Sequence, residues 1–179
     1  MKIAILGYSG SGKSTLSKYL SKKYKIPLLY LDTVQFLPNW ELRDRKEAKS
    51  LVLDFINKES WVIDGNYTSF YQEERLFLAD KIIYMKFNRF SCLRRAIKRY
   101  FKFKNTTRDS MAEGCNEKID LEFIYWILHK GRNKETKIHY KKLLDKYRDK
   151  VIIIKNQKQL DLFMENLDSH IKIEKISPK

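Results

Sequence analysis

Fifteen residues at the start of the chain, MKIAILGYSGSGKST, narrow the folds open to it more than any other stretch. Within them Gly7-Tyr8-Ser9-Gly10-Ser11-Gly12-Lys13-Ser14 fits the pattern G-x-x-x-x-G-K-[ST]. The apolar run Ile3-Ala4-Ile5-Leu6 precedes it and reads as a buried strand, and Leu16, Tyr19, Leu20 and Tyr24 follow at helical spacing. Glycines let the backbone turn tightly, so that successive amide N–H groups face a polyanion, and the positive end of the following helix adds to the field. Gly7, Ser9, Gly10, Ser11, Gly12, Lys13, Ser14 and Thr15 are therefore the candidate phosphate cradle. Lys13 is expected to reach the terminal phosphates and Ser14 to ligate Mg2+. A plain strand-to-helix turn with incidental glycines is the rival reading, and the Lys-Ser ending with its flanking pattern argues against it.

The rest of the chain continues the alternation. Pro27–Leu31, Ser60–Asp64, Lys81–Phe87 and Val151–Lys155 read as further strands separated by helical stretches, which predicts right-handed β-α-β units and a parallel sheet. Open parallel sheets take ligands beyond the carboxyl ends of their strands, where Asp32 and Asp64 follow the second and third. Capping of the turns is the plainer role for both. Residues 33–58 include Phe36, Trp40 and Arg43 in a stretch of mixed polarity and are expected to cover a substrate. The most basic region carries Arg95 and Arg99 on one helix face and leads to turn formers from Asn105 to Gly114, so a flexible lid is expected near 100–118. Arg108 reads as a solvated charge. One long helical stretch is expected from about Asp120 to Tyr147, with Gly131 as its weak point, then a final amphipathic helix through Leu160, Phe163 and Leu167. The tail after His170 is expected to fray.

Length and charge set outer bounds. A chain of 179 residues suits a single domain spanning 1–179. No long uncharged apolar stretch or signal-like start is evident, so a cytoplasmic protein without a membrane segment is expected. Cys92 and Cys115 lack metal-ligand spacing and suit a reducing compartment. A net charge of +15 favours anionic ligands, and nucleic acid is a candidate partner on that ground, although abundant Lys, Ile, Asn and Tyr are also what an AT-rich coding sequence yields.

Several segments carry a resemblance. GYSGSGKST, Tyr30-Leu31-Asp32-Thr33, Phe36-Leu37-Pro38-Asn39-Trp40, Val62-Ile63-Asp64-Gly65-Asn66-Tyr67, Arg95-x-x-x-Arg99 and Gly114-Cys115-Asn116-Glu117-Lys118 together make the chain similar to the adenylate-kinase-like P-loop kinases, most closely the group known as DNA topology modulation proteins. The resemblance implies an α/β, three-layer P-loop NTPase fold, with a five-stranded parallel sheet of order 2-3-1-4-5, helices on both faces and a lid. It further implies that Asp64 helps hold Mg2+, that Arg95, Arg99 and Arg132 meet the transferred phosphoryl group or the substrate, and that Asn156 and Gln157 border the adenine of ATP. Where adenylate kinases read Asp-Gly-Phe-Pro-Arg, this chain reads Asp64-Gly65-Asn66-Tyr67-Thr68, so the arginine that holds a nucleoside monophosphate is missing.

The expectation is an ATP- and Mg2+-dependent phosphotransferase acting on a small-molecule phosphoryl acceptor. Lys13, Asp32, Arg95 and Arg99 form the candidate catalytic set. Asp32, Phe36, Trp40, Arg43, Gly65, Asn66, Tyr67 and Arg132 are the candidate substrate contacts, and Ser14 and Asp64 the metal ligands. Asp32 would orient or deprotonate an acceptor hydroxyl, whereas a phosphate acceptor needs no base. A DNA-binding, topology-modulating protein with regulatory ATP is the alternative, and it lacks a recognisable DNA-reading motif.

Overall fold

The structure, a computed structural model, describes residues 1–104 and 106–167; the expected fraying of the tail after His170 lies outside the described residues. Five strands, β1 (Lys2–Gly7), β2 (Leu28–Tyr30), β3 (Trp61–Asp64), β4 (Lys81–Met85) and β5 (Val151–Ile154), form one parallel sheet in the order β2-β3-β1-β4-β5. Between them run α1 (Lys13–Tyr24), α2 (Leu31–Gln35), α3 (Arg45–Ile56), α4 (Gln72–Leu78), α5 (Arg89–Phe103), α6 (Leu121–Leu128) and α7 (Lys134–Lys146), and α8 (Gln157–Glu165) follows β5.

Successive side chains of a strand point to opposite faces, and β1 divides the core accordingly. Ile3 and Ile5 pack with Leu16 and Leu20 of α1, Cys92 and Ala96 of α5, Ile127 of α6 and Leu160 and Phe163 of α8. Ala4 and Leu6 pack on the other face with Val52 and Ile56 of α3, Leu76 of α4, and Tyr140 and Leu143 of α7. A sheet covered on both faces calls for continuously apolar strands, which is why Ile3-Ala4-Ile5-Leu6 does not alternate. Register then brings the ends together: Asp64 is level with Ile5 and with Tyr30, so the loop after β1, the start of α2 and the end of β3 meet at one sheet edge.

Two expectations change. Asp32 does not sit in a simple turn but in the first turn of the short helix α2. The stretch from Asp120 to Tyr147 is not one helix: α6 stops at Leu128, and α7 restarts where the Asn133 side chain accepts from the Thr136 amide. Gly131 lies in the break, and a Cβ there would stand 2.9 Å from Trp126 Nε1, so the indole requires glycine at that point.

Candidate active site

The loop after β1 is held in shape before any ligand arrives. Its glycines adopt left-handed or related positive φ, with Gly10 at 78° and Gly12 at 95°. A Cβ on Gly10 would come within 2.3 Å of the Cys92 carbonyl oxygen, so no other residue fits between loop and α5. The Ser11 amide donates to the Tyr8 carbonyl at 3.1 Å and closes the turn. Asn66 anchors the loop's first residue with two bonds: its Oδ1 accepts from the Gly7 amide at 3.0 Å and its Nδ2 donates to the Gly7 carbonyl at 2.7 Å. Lys13 leans back over the loop, its ammonium 3.4 Å from the Tyr8 carbonyl.

A cavity of about 860 Å³ opens in front of this loop. Ser9, Gly10, Lys13, Ser14 and Asp64 lie on its loop side, and Asp32, Phe36, Trp40, Gly65, Asn66 and Tyr67 also line it. Asp64 is 5% exposed, and burial pushes its carboxyl above the usual range, an effect that Lys13 and a hydrogen bond from Ser14 partly offset. Its Oδ1 is buried without a hydrogen-bond partner. A buried carboxylate oxygen left open beside a serine hydroxyl fits a hard cation that completes its shell with water and phosphate oxygens. Among the described residues no group of three His, Cys, Asp or Glu side chains could hold a metal by itself. Asp32 Oδ1 accepts from the Tyr67 hydroxyl at 2.8 Å, and burial together with the Asp32 charge keeps that phenol protonated.

Burial of Asp64 yields a prediction for the unliganded protein. Asp64→Asn is expected to raise the unfolding free energy at neutral pH by roughly 1–3 kcal/mol, because an amide is cheaper to bury than a carboxylate. With its carboxyl raised in the native state, the folded chain holds the proton to higher pH than the unfolded chain, so stability from this group declines as pH rises. The variant's advantage therefore opens above about pH 4, where an ordinary carboxyl ionises, and grows through the acidic range. Denaturant melts of both proteins from pH 4 to 8 measure it; a constant difference refutes the burial argument.

Across the loop lies a second cavity, about 660 Å³, lined by Gly12, Thr15, Lys18, Arg95, Lys98 and Lys102 among others. Arg99 and Arg108 line both cavities, and Glu117 lines the first. The Arg99 Nε donates to Glu117 Oε2 at 2.9 Å, and Arg108 pairs with the other oxygen of the same carboxylate. Glu117 is 9% exposed, and burial and the neighbouring Arg99 charge both lower the proton affinity of Arg108. The segment around Glu117 is therefore no free excursion. It docks on the covering segment after α2: the Asn39 amide donates to the Glu113 carbonyl at 3.1 Å, the Trp40 amide to Cys115 Sγ at 3.2 Å, and Cys115 Sγ to the Leu37 carbonyl at 3.5 Å.

Other expected contacts go elsewhere. Arg132, expected at the substrate, is 9% exposed and donates to the Phe87 and Ile127 carbonyls and Cys92 Sγ, with its guanidinium 3.6 Å from the Tyr8 ring centroid. It supports the loop from behind. Arg43 turns to the Val34 carbonyl and Glu47 and does not line the cavity. Arg95 lies over Phe87, reaches Gln157, and lines the second cavity without lining the first. Asn156 caps α8 through Gln159.

Arg75 was not anticipated. It is fully buried, and its guanidinium donates to the carbonyls of Phe70 at 2.7 Å, Tyr67 at 2.8 Å and Gly65 at 3.4 Å, which fixes the cavity wall. Burial pulls its pKa down to about 10. Arg75→Met is expected to cost about 3 kcal/mol of stability, since three buried carbonyls lose their donor. Urea melts give the value, and a loss below about 1 kcal/mol would mean that the wall rewets freely.

No protein-family model matches the sequence, and comparison with curated proteins found no match. Solved structures do match. A deoxyadenosine kinase from M. mycoides with bound dATP superposes with a TM-score of 0.52 at 20% identity over 94% of this chain and 100% of that one. The same enzyme with bound dCTP gives 0.51 at 21% over the same shares. Shikimate kinase from Bacteroides thetaiotaomicron aligns over 97% of this chain and 99% of its own at 14% identity, with a TM-score of 0.49. Among the described residues no helix is long and apolar enough to cross a membrane. Sheet order, the glycine loop and the deoxyadenosine kinase superpositions agree on one architecture, the P-loop kinase fold.

Proposed function

We propose that this chain is a cytoplasmic kinase that transfers the γ-phosphoryl group of ATP to a small acceptor held in the cavity between the glycine loop and α2. The observation that carries it is that one cavity is lined both by an anion cradle with Lys13 and Ser14 and by Asp32, which accepts a hydrogen bond from Tyr67. A nucleotide-binding switch needs the cradle and has no use for the carboxylate. In this reading the loop amides and Lys13 hold the β- and γ-phosphates. Ser14 and Asp64 hold Mg2+, which when bound neutralises phosphate charge. Arg99 and Arg108 face the transferred group from the docked lid, and Arg95 with Gln157 borders the base. The whole chain acts as one domain, with residues 33–58 and 100–118 as its covering segments.

The deciding experiment is ADP release from Mg-ATP across a panel of small acceptors. Acceptor-dependent ADP with a phosphorylated product supports the reading, and ADP formed with water alone overturns it.

A second reading follows the resemblance to DNA topology modulation proteins. The observation in its favour is the row of cations Lys18, Lys22, Lys98 and Lys102 around the second cavity. Binding of this type is driven by counterion release and weakens steeply with salt. A mobility shift that survives near-physiological salt and prefers one DNA form would support it, and one that vanishes there would not.

A further inference from the structure

We propose that Glu117 is a positioning residue for the γ-phosphoryl group of ATP, holding Arg99 of α5 and Arg108 of the lid side by side so that both guanidiniums meet it. This rests on the kinase reading above and adds the residue through which its two arginines are placed.

Local bonds of the lid bring Glu117 to Arg108. The Met111 amide donates to the Arg108 carbonyl at 2.9 Å, the Cys115 amide to the Ala112 carbonyl at 3.1 Å and the Asn116 amide to the Gly114 carbonyl at 2.9 Å, so the chain from 108 to 116 folds back on itself. Thr107 Oγ1 donates to Asn116 Oδ1 at 3.4 Å across the neck of this turn, and beside it Arg108 Nε ion-pairs with Glu117 Oε1. That pair alone would close the lid. The other oxygen of Glu117 reaches outside it and accepts from Arg99 Nε of α5 at 2.9 Å.

Charge and exposure show which groups are offered to a ligand. The Glu117 side chain is 5% exposed, that of Arg108 15% and that of Arg99 26%, so solvent reaches the cations more than the anion they share. Both pairings run through Nε. Among the described residues the Nη groups of Arg99 make no hydrogen bond, and Arg108 spends Nη1 on Ser110 Oγ at 3.0 Å. The outer ends of the guanidiniums are the part that matches phosphate oxygens. Two guanidiniums on one carboxylate also keep a net positive charge. Arg99 and Arg108 line the first cavity together with Ser9, Gly10, Lys13 and Ser14, so this charge borders the space in front of the anion cradle. The Asp32 charge is near enough to act on Arg108, which places the same trio beside the acceptor side as well.

Glu117 is what makes this placement persist. Burial and the neighbouring Arg99 charge already lower the proton affinity of Arg108, and two guanidiniums without a shared anion repel. Glutamine at 117 offers one acceptor oxygen to one arginine and turns an amide donor toward the other.

Calorimetric affinities of the full chain for Mg-ADP and Mg-ATP test the proposal without an acceptor, since the two ligands differ by the γ-phosphoryl group alone. The wild type is expected to prefer Mg-ATP. Glu117→Gln is expected to reduce that preference about tenfold or more, the scale of charge-assisted hydrogen bonds lost from one phosphate, with Mg-ADP affinity kept within about threefold. Glu117→Asp keeps the charge and shortens the reach, so a smaller drop in the same ratio is expected; it carries the test if a thermal melt shows the glutamine variant unfolded. In a background of Arg99→Ala and Arg108→Ala, adding Glu117→Gln is expected to change the ratio by less than about twofold, because a residue acting through the arginines has nothing left to place. A ratio that stays unchanged or rises in the Glu117 variants overturns the proposal. Equal losses of Mg-ADP and Mg-ATP affinity overturn it too, as the mark of a lid that has merely lost its dock, and so does a further drop in the double-arginine background. A wild type that binds both nucleotides equally removes the proposal and leaves the kinase reading standing, whereas a wild type that binds neither removes both.

Discussion

Lys13→Ala loses Mg-ATP affinity by about 2–5 kcal/mol, roughly 30-fold to several thousandfold, while the protein stays folded. The size follows from what the side chain does and from what its removal spares. Lys13 projects over a loop whose shape is set by other groups: Asn66 on Gly7, the Ser11 amide on Tyr8, and the close passage of Gly10 against Cys92. Deleting the ammonium therefore leaves the amide cradle intact and removes one charge from the phosphates it would contact. Sheltered charge-assisted contacts are worth several times an exposed pair, and truncating one partner strands the other. Stability is expected to change little, because the core residues around α1 are Leu16 and Leu20 and not Lys13. Calorimetry on the variant and wild type decides the matter, with a thermal melt alongside to show that both are folded. Unchanged Mg-ATP affinity in folded Lys13→Ala would remove the nucleotide from this loop and with it the kinase reading.

The contrast between that loop and the rest of the site shows where sequence is legible. Glycines at fixed offsets before Lys-Ser have few physical uses other than a tight anion-facing turn, and β-α alternation with apolar runs admits little besides a parallel sheet, so both were readable from spacing. The strand-end aspartates were readable for the same reason, since strand ends define the ligand edge. Buried arginines were not. Arg75 and Arg132 are drawn inside by carbonyls that only the folded chain assembles, from Gly65, Tyr67 and Phe70 in one case and Phe87 and Ile127 in the other. A lone basic residue in a helical stretch carries no local mark of such partners, so Arg132 reads as a substrate contact and Arg75 carries no expectation. Arg108 reads as a solvated charge and Glu117 as part of the Gly114–Lys118 segment, and their pairing was not legible because it forms across a turn-rich segment without periodicity. The missing signal was available in part: Glu117 follows the basic stretch Arg89–Lys104, whose cations offer a carboxylate partners. Asn66, expected to contact the substrate, lines the cavity with its amide engaged in holding Gly7, a backbone partner that no spacing in the sequence reveals.

Asp32→Asn tests the acceptor half, and its outcome depends on what the acceptor is. Asparagine has nearly the same shape and keeps an oxygen to accept from the Tyr67 hydroxyl, so fold and cavity are expected to persist. It cannot take a proton. If the acceptor is an alcohol, kcat falls by about 10²–10⁴, the usual contribution of a positioned base, while KM moves by a few-fold at most. If the acceptor is a phosphate, its oxygen is already an anion, no proton has to leave, and removing the Asp32 charge is expected to leave kcat near its wild-type value and to lower KM by relieving repulsion. A purely structural role for Asp32 predicts a third pattern, with kcat, KM and melting temperature all close to wild type for any acceptor. Tyr67→Phe separates orientation from charge: it keeps the carboxylate and removes the hydroxyl that fixes it, so a loss of about tenfold or less is expected, the scale of one hydrogen bond. The ordering Asp32→Asn far below Tyr67→Phe, in kcat and not in KM, is the signature of a base held in place by a phenol.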